Sequence, residues 1–385
     1  MSDQNIKNMI GKTLYNIADA IESGEFGDKT RVAITLLGSE HGVENVLKGA
    51  EDAQVENTDL EVVLIGPKVE TNLKIYEVNT EDEQHKKMEE LLDSKEIDAC
   101  VTMHYNFPIG VSTVGRVVTP GLGKEMIIAT TTGTSSTKRV EAMIKNGLYG
   151  VITAKALGNK SPKVGILNVD GARQVETALK ELKENGYEIE FSESKRADGG
   201  VVMRGNDLLT GTPDVMITDT LTGNLLMKIF SSFTTGGSFE SLGYGYGPGV
   251  AEDYDRKILI ISRASGSPVI KNAIKYAKEV SQGKITKIAK EEFAKVKKAK
   301  YEEVIGKLTK EKKEDTKEVK MPPKEVVTGS IAGIDIMDLE DAVKELWKEN
   351  IYAESGMGCT GPMVMISEAN VEKSIEILKS KNYVS

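Results

Sequence analysis

The chain has 385 residues, of which 28% are charged, and its formal net charge of -9 argues against nucleic acid as the main partner. Its length accommodates two or three domains with a sizeable core. Two cysteines, Cys100 and Cys359, are too few for a secreted disulfide framework or a four-ligand zinc site and fit a reducing cytoplasm. The three histidines, His41, His85 and His104, show no helical metal-ligand spacing, so no metal site is expected. Met1 to Ile10 lacks the apolar core of a signal peptide and no apolar run is long enough to span a bilayer, so the reading is a soluble cytoplasmic protein without a membrane partner.

Apolar Ile6, Ile10, Leu14, Ile17 and Ile21 recur at helical spacing and predict an amphipathic helix over residues 3–23. Strand Arg31 to Leu37, polar loop Gly38 to Gly42, a helix through Gly49 and Ala53, and strand Val62 to Ile65 follow. Strand alternating with helix predicts a parallel sheet with covering helices, and ligands then bind at the carboxyl ends of strands. The rhythm continues with helix Glu81 to Asp93 and strand Ala99 to Met103, where Cys100 reads as a small core residue. Strands are also expected at 126–130, Val151 to Thr153, Val164 to Val169, Tyr187 to Phe191, Val215 to Thr218 and Ile258 to Ile261. Helices are expected at Gln174 to Lys183, at Thr222 onward, and at Val269 to Val280.

Two stretches of this region point to chemistry. Strand 126–130 empties into Thr130 to Arg139, where Thr132, Gly133, Thr134 and Ser135 precede Lys138 and Arg139 at an expected helix start. Hydroxyls, a glycine and two cations there suit phosphate, because free N–H groups and the helix dipole face the anion; a capped surface loop is the alternative reading. In the helix opened by Thr222-Gly223-Asn224, Lys228 falls four residues after Asn224, so both lie on one face near a strand end. Residues 234–249 are rich in glycine and aromatic residues without the dinucleotide spacing, and read as a mobile loop over a cleft.

From 284 to 324 the composition shifts to Lys and Glu, a charged helical connector stiffened at Pro322-Pro323. Beyond it, strand Val326 to Thr328, helix Leu339 to Glu349, two short β-favouring runs at Ile351 to Ala353 and Met363 to Ile366, and helix Val371 to Ser380 make a small α+β unit over 325–385. Between the two runs lies Glu-Ser-Gly-Met-Gly-Cys-Thr-Gly-Pro, residues 354–362. Cys359 is flanked by turn-formers, so the thiol is expected at an accessible hairpin tip whose backbone N–H groups favour a thiolate and a later oxyanion. A tight turn with an incidental cysteine is the bland alternative.

These residues carry a family resemblance. From about 31 to 280 the chain resembles phosphate acyltransferases, most specifically in Asp214 to Lys228 (Asp-Val-Met-Ile-Thr-Asp-Thr-Leu-Thr-Gly-Asn-Leu-Leu-Met-Lys) and less so in Ser267 to Ile274. The resemblance implies a three-layer α/β/α sandwich related to isocitrate dehydrogenase and phosphotransacetylase over residues 1–283, with the small α+β domain appended. Taken whole, and above all in the Gly-Met-Gly-Cys-Thr-Gly-Pro loop, the chain is similar to the alpha subunits of component C of glycine, sarcosine and betaine reductase. That family receives a carboxymethyl group from a selenocysteine of component A, releases it as an acetyl thioester and passes the acetyl group to phosphate.

By that resemblance the thioester cysteine is Cys359, the partners are a component C beta subunit and the selenoprotein, and an oligomer is expected. Inorganic phosphate is a substrate and no cofactor is implied. Lys228, Lys138, Arg139, Asn224 and the Thr132 to Ser135 backbone are the expected phosphate donors. A scaffold or thiol-relay subunit docking the selenoprotein, and a free-standing phosphate acyltransferase or phosphotransacetylase, are the competing readings.

Overall fold

A computed structural model of the chain describes residues 29–196, 199–309, 319–334, 338–358, 361–381 and 383–384, with residues 7, 10, 11, 13–15, 17, 18 and 21. Most of the expected helix over 3–23, residues 310–318 of the connector, and Cys359 and Thr360 lie outside the described residues.

In chain order the body comprises β1 (Thr30–Thr35), α1 (Gly42–Glu56), β2 (Leu60–Gly66), β3 (Lys74–Glu77), α2 (Glu81–Asp93), β4 (Ala99–Thr102), β5 (Ser112–Val118), β6 (Glu125–Gly133) and α3 (Arg139–Ala156). It continues through β7 (Lys163–Leu167), α4 (Ala172–Glu184), β8 (Glu190–Phe191), β9 (Val202–Met203), α5 (Gly205–Thr210), β10 (Val215–Ile217), α6 (Thr220–Ser232), β11 (Gly247–Val250), β12 (Ile258–Ile260) and α7 (Ser267–Gln282). One sheet runs β3-β2-β1-β4-β12-β11-β5-β6-β10-β7-β8, with β9 also paired to β7. The outer blocks are parallel. Three successive antiparallel pairings at the centre, β12–β11, β11–β5 and β5–β6, make those two blocks run in opposite directions.

Alternation along the strands builds the layers, since successive side chains leave opposite faces of a sheet. Val32, Ile34, Val62 and Leu64 join one apolar cluster with α3 and α7, while Ala33, Val63, Ile65 and Cys100 join a second with Met88 and Leu91 of α2 and Met227 and Phe230 of α6. The result is a three-layer α/β/α sandwich. Among the described residues no helix is long and apolar enough to cross a membrane.

Three expectations need correction. Val151-Ile152-Thr153 is not a strand but lies inside α3, where its β-branched side chains are buried on a helix that is enclosed almost all round. The glycine- and tyrosine-rich 234–249 stretch is not a mobile loop: Tyr244 and Tyr246 are buried, and the stretch leads into β11 at the centre of the sheet. Gly247 there, at positive φ, passes so close to β5 that a Cβ would lie 1.8 Å from the Val114 carbonyl oxygen. In the C-terminal unit the first strand is Gly329–Ala332 (β13) and not Val326 to Thr328.

The charged 284–324 stretch begins with α8 (Ile285–Lys298) and α9 (Tyr301–Thr309), whose Ile285, Phe293, Val296, Tyr301, Val304 and Ile305 belong to the body's own core. Apart from buried Glu292, the charged residues of the two helices lie on the opposite faces. The C-terminal unit has a separate core: β13, α10 (Leu339–Lys348), β14 (Ala353–Gly358), β15 (Gly361–Ile366) and α11 (Val371–Ser380) gather Ile331, Leu346, Val364, Ile366 and Leu378. Strands β14 and β15 pair antiparallel up to Gly358 opposite Gly361.

Docking of α8 rests on buried Glu292, which accepts from Lys155 Nζ at 2.7 Å, Lys295 Nζ at 2.7 Å and Tyr187 Oη at 3.0 Å. Burial pushes the Glu292 carboxyl up, but these donors together outweigh it and hold it below the usual carboxylate range. A folded pKa below the unfolded one gives stability that is present above the unfolded value and lost as pH falls through the folded value. Glu292→Ala is expected to cost roughly 3 kcal/mol, because it leaves the part-buried Lys155 ammonium and the buried Tyr187 hydroxyl without their partner. Urea unfolding checks this, and the deficit of the variant should shrink below about pH 4.

Candidate active site

A cleft of about 460 Å³ opens where the two blocks of the sheet meet. Its walls are segments that follow strands: Met103 to Phe107 and Ile109 after β4, Thr132 to Thr134 at the end of β6, and Ile260 to Ser262 at the end of β12. Tyr246, just before β11, and Asn224 and Lys228 of α6 complete it. The wall after β4 is aromatic and stacked from behind, with Tyr105 and Phe107 ring centroids 5.1 Å apart and Phe107 edge-on to Tyr254 at 5.8 Å. The wall formed by β6 and α6 is polar. Such a pairing accommodates a small molecule with one apolar and one anionic end.

The placement of α6 determines the polar wall. Asp219 caps the helix, accepting from Thr222 N at 3.0 Å and from Thr222 Oγ1 at 2.6 Å. One turn in, Gly223 lies against β6, and a Cβ there would be 1.8 Å from the Thr130 carbonyl oxygen. No larger residue permits this approach. It brings Asn224 Nδ2 to within 3.0 Å of the Thr131 carbonyl, while Thr131 Oγ1 donates to the Tyr246 carbonyl at 2.8 Å. Farther along, Lys228 Nζ donates to Ser262 Oγ at 2.7 Å and lies 3.2 Å from Glu240 Oε1. Helix α6 thus spans from the carboxyl end of β6 to that of β12.

The expected phosphate donors divide into two groups. Thr132, Gly133, Thr134, Asn224 and Lys228 come together in the cleft. Ser135 does not join them: its buried hydroxyl donates to Asn146 Oδ1 at 2.7 Å, and Asn146 Nδ2 donates to the Thr218 carbonyl. That network fixes the loop before α3 to the end of β10. Arg139 is engaged with Asp219 at 3.2 Å and with Asp170, so it braces the cap of α6 and does not line the cleft. Lys138 is exposed beside it and also lies off the cleft wall. Cys359 lies outside the described residues. Cys100 is fully enclosed, and burial pushes its thiol up, which removes it as a source of thiolate.

Sequence reasoning missed His104, Ser262 and the aromatic wall. His104 and Ser262 each stand two residues beyond the end of a strand, β4 and β12, and the carboxyl-end rule applied to every strand finds both. No motif in the sequence signals Glu240.

A curated relative from Peptoclostridium acidaminophilum, the glycine/sarcosine/betaine reductase complex component C subunit alpha, is 65% identical over 387 residues, covering 100% of both chains. The chain belongs to this component C alpha-subunit family. It also belongs to the fatty acid synthesis protein family, which matches residues 30–365 and so reaches into β15, past the 31–280 over which the sequence resembles phosphate acyltransferases. A phosphate acyltransferase from Thermotoga petrophila is 26% identical over 235 residues, 52% of this chain and 67% of the relative. The solved branched-chain phosphotransacylase of Enterococcus faecalis V583 is 17% identical with a TM-score of 0.43, covering 65% of this chain and 99% of that one. Curated phosphate acyltransferases are thus among the relatives of this chain.

The Gly223 contact is testable apart from activity. Gly223→Ala should lower unfolding stability by about 1–3 kcal/mol through overpacking against Thr130. Exposed Leu225, two positions on, should tolerate Leu225→Ala within about 0.5 kcal/mol. Denaturant titrations of the two variants compare them directly.

Proposed function

We propose that this chain, as the alpha subunit of component C, carries an acetyl group as a thioester on Cys359 and transfers it to inorganic phosphate in the cleft between β6, β12 and α6. The observation that carries the reading is Lys228, a cation fixed by Ser262 on the same polar wall of the cleft that offers Thr132 to Thr134. A phosphate dianion needs positioning and charge neutralisation there more than it needs a base. Its oxygen attacks the thioester carbonyl, a C–O bond forms, the C–S bond breaks and the sulfur leaves as thiolate. Acetyl phosphate is released without net oxidation or reduction.

The cysteine is carried on a unit with its own core, which supports delivery from a separate body. The stretch from Thr309 to Lys324 reaches roughly 50 Å when fully extended, more than a small domain's radius. In this reading the selenoprotein component A, bearing carboxymethyl-selenocysteine, supplies the two-carbon group, and the beta subunit of component C supplies the reducing thiol that enclosed Cys100 cannot. The assembly is a cytoplasmic oligomer, with phosphate as co-substrate and no metal or organic cofactor.

With the complete complex, Cys359→Ala should abolish acetyl phosphate release, and Lys228→Met should lower it about 10²–10³-fold, as expected for loss of a preorganised charge. Lys138→Ala should leave the rate unchanged, since that cation lies off the cleft. Undiminished turnover by the Cys359 variant would sink the reading.

A further inference from the structure

Beneath the cleft, next to the Lys228 ammonium, lies a carboxylate that the transfer chemistry does not require. Glu240 is only 2% exposed, in a chain whose other carboxylates mostly face solvent, and its Oε1 is 3.2 Å from Lys228 Nζ. A buried carboxylate is costly unless it is paired and hydrogen-bonded, so this one needs a physical account.

Its surroundings are built to hold it. Ser265 Oγ donates to Oε2 at 3.2 Å and Tyr246 Oη donates to Oε1 at 3.5 Å. Burial, and then the Glu240 charge, push the Tyr246 hydroxyl up, so it stays a donor. The Glu240 backbone is fastened to the same segment, its N–H donating to the Ala264 carbonyl at 3.0 Å and its carbonyl accepting from Gly266 N at 2.8 Å. Glu240 and Ser262, the two acceptors that the Lys228 ammonium meets among the described residues, are therefore anchored to one stretch at the end of β12. An ammonium has three donors, and these acceptors engage two of them, leaving one for an anion in the cleft.

A free lysine side chain is a flexible four-carbon stem, and its positioning is lost entropy that must be prepaid for catalysis. The Lys228 side chain is half exposed, so its own stem is not held by packing. We infer that Glu240 is a positioning residue: together with Ser262 it fixes the Lys228 ammonium in the one orientation that presents its remaining N–H to phosphate. This inference rests on the proposed role of Lys228 in phosphate binding. Glu240 touches neither phosphate nor acetyl group and acts only through the lysine.

The test is a double-mutant cycle on the complete complex, reading KM for inorganic phosphate and kcat for acetyl phosphate release, with thermal unfolding of each variant as the folding control. Glu240→Ala should raise the phosphate KM about tenfold while kcat changes far less, an effect near 1.4 kcal/mol. Glu240→Gln keeps the shape and an acceptor facing Nζ, so it should fall between wild type and Glu240→Ala, and it remains informative if the alanine variant does not fold. In a Lys228→Met background neither Glu240 change should raise KM further. A Glu240→Gln KM equal to wild type, or Glu240 effects that persist undiminished without the lysine, would overturn the positioning role while leaving Lys228 in the site. A Lys228→Met enzyme with wild-type KM would instead overturn the phosphate-binding reading, and this inference with it.

Discussion

The contact on which the site depends is the one between the first turn of α6 and the end of β6. Helix and strand approach so closely at Gly223 that its α-carbon faces the Thr130 carbonyl with no room for a methyl group. Everything polar in the cleft follows from that approach. It sets Asn224 on the Thr131 carbonyl, and through the rigid rise of the helix it sets Lys228 one turn later over Ser262. Asp219 at the cap and Arg139 behind it keep the helix end in place, so two charged residues contribute to the site from outside it.

The sheet explains why one helix can serve both ends. Three antiparallel pairings at its centre reverse the direction of one parallel block relative to the other, so the carboxyl ends of β6 and β12 point apart, and α6, reaching Thr131 with Asn224 and Ser262 with Lys228, joins them at one cleft. Strand β11 is glycine-rich because the backbone there must pass close to its neighbour; Gly247 has no space for a side chain against Val114. Tyr244 is tied to Glu125 and lies under the Arg116 guanidinium, 4.0 Å from ring centroid to carbon, while Tyr246 faces the cleft.

Much of this was legible from residue order, and the exceptions have physical reasons. The helix over 81–93 and the helix over 371–380 match the periodicity end to end, since each has one apolar and one polar face. Val151 to Thr153 misled because a helix buried nearly all round shows no polar face to betray its period. Strands β3 and β5 were missed: β3 is short and half exposed, and Gly115 and Arg116 interrupt the apolar pattern of β5. In the site, Asn224 and Lys228 could be placed because helical spacing alone puts them on one face. Arg139 and Ser135 could not, because whether a polar residue meets a ligand or a protein neighbour depends here on Asp219, far along the chain, and on Asn146, buried two turns into α3. Glu240 was invisible for the same reason: nothing local distinguishes a buried glutamate from a surface one.

The proposed reaction centres on an acyl group held on sulfur and released to phosphate. The most direct measurement is intact-mass analysis, with peptide mapping, of the isolated chain after incubation with acetyl phosphate, which runs the proposed transfer backwards. The account predicts one added acetyl group, mapped to Cys359, removed by hydroxylamine and absent from the Cys359→Ala chain. An unmodified Cys359 in a folded chain, with the acetyl group on lysines alone or nowhere, would contradict it.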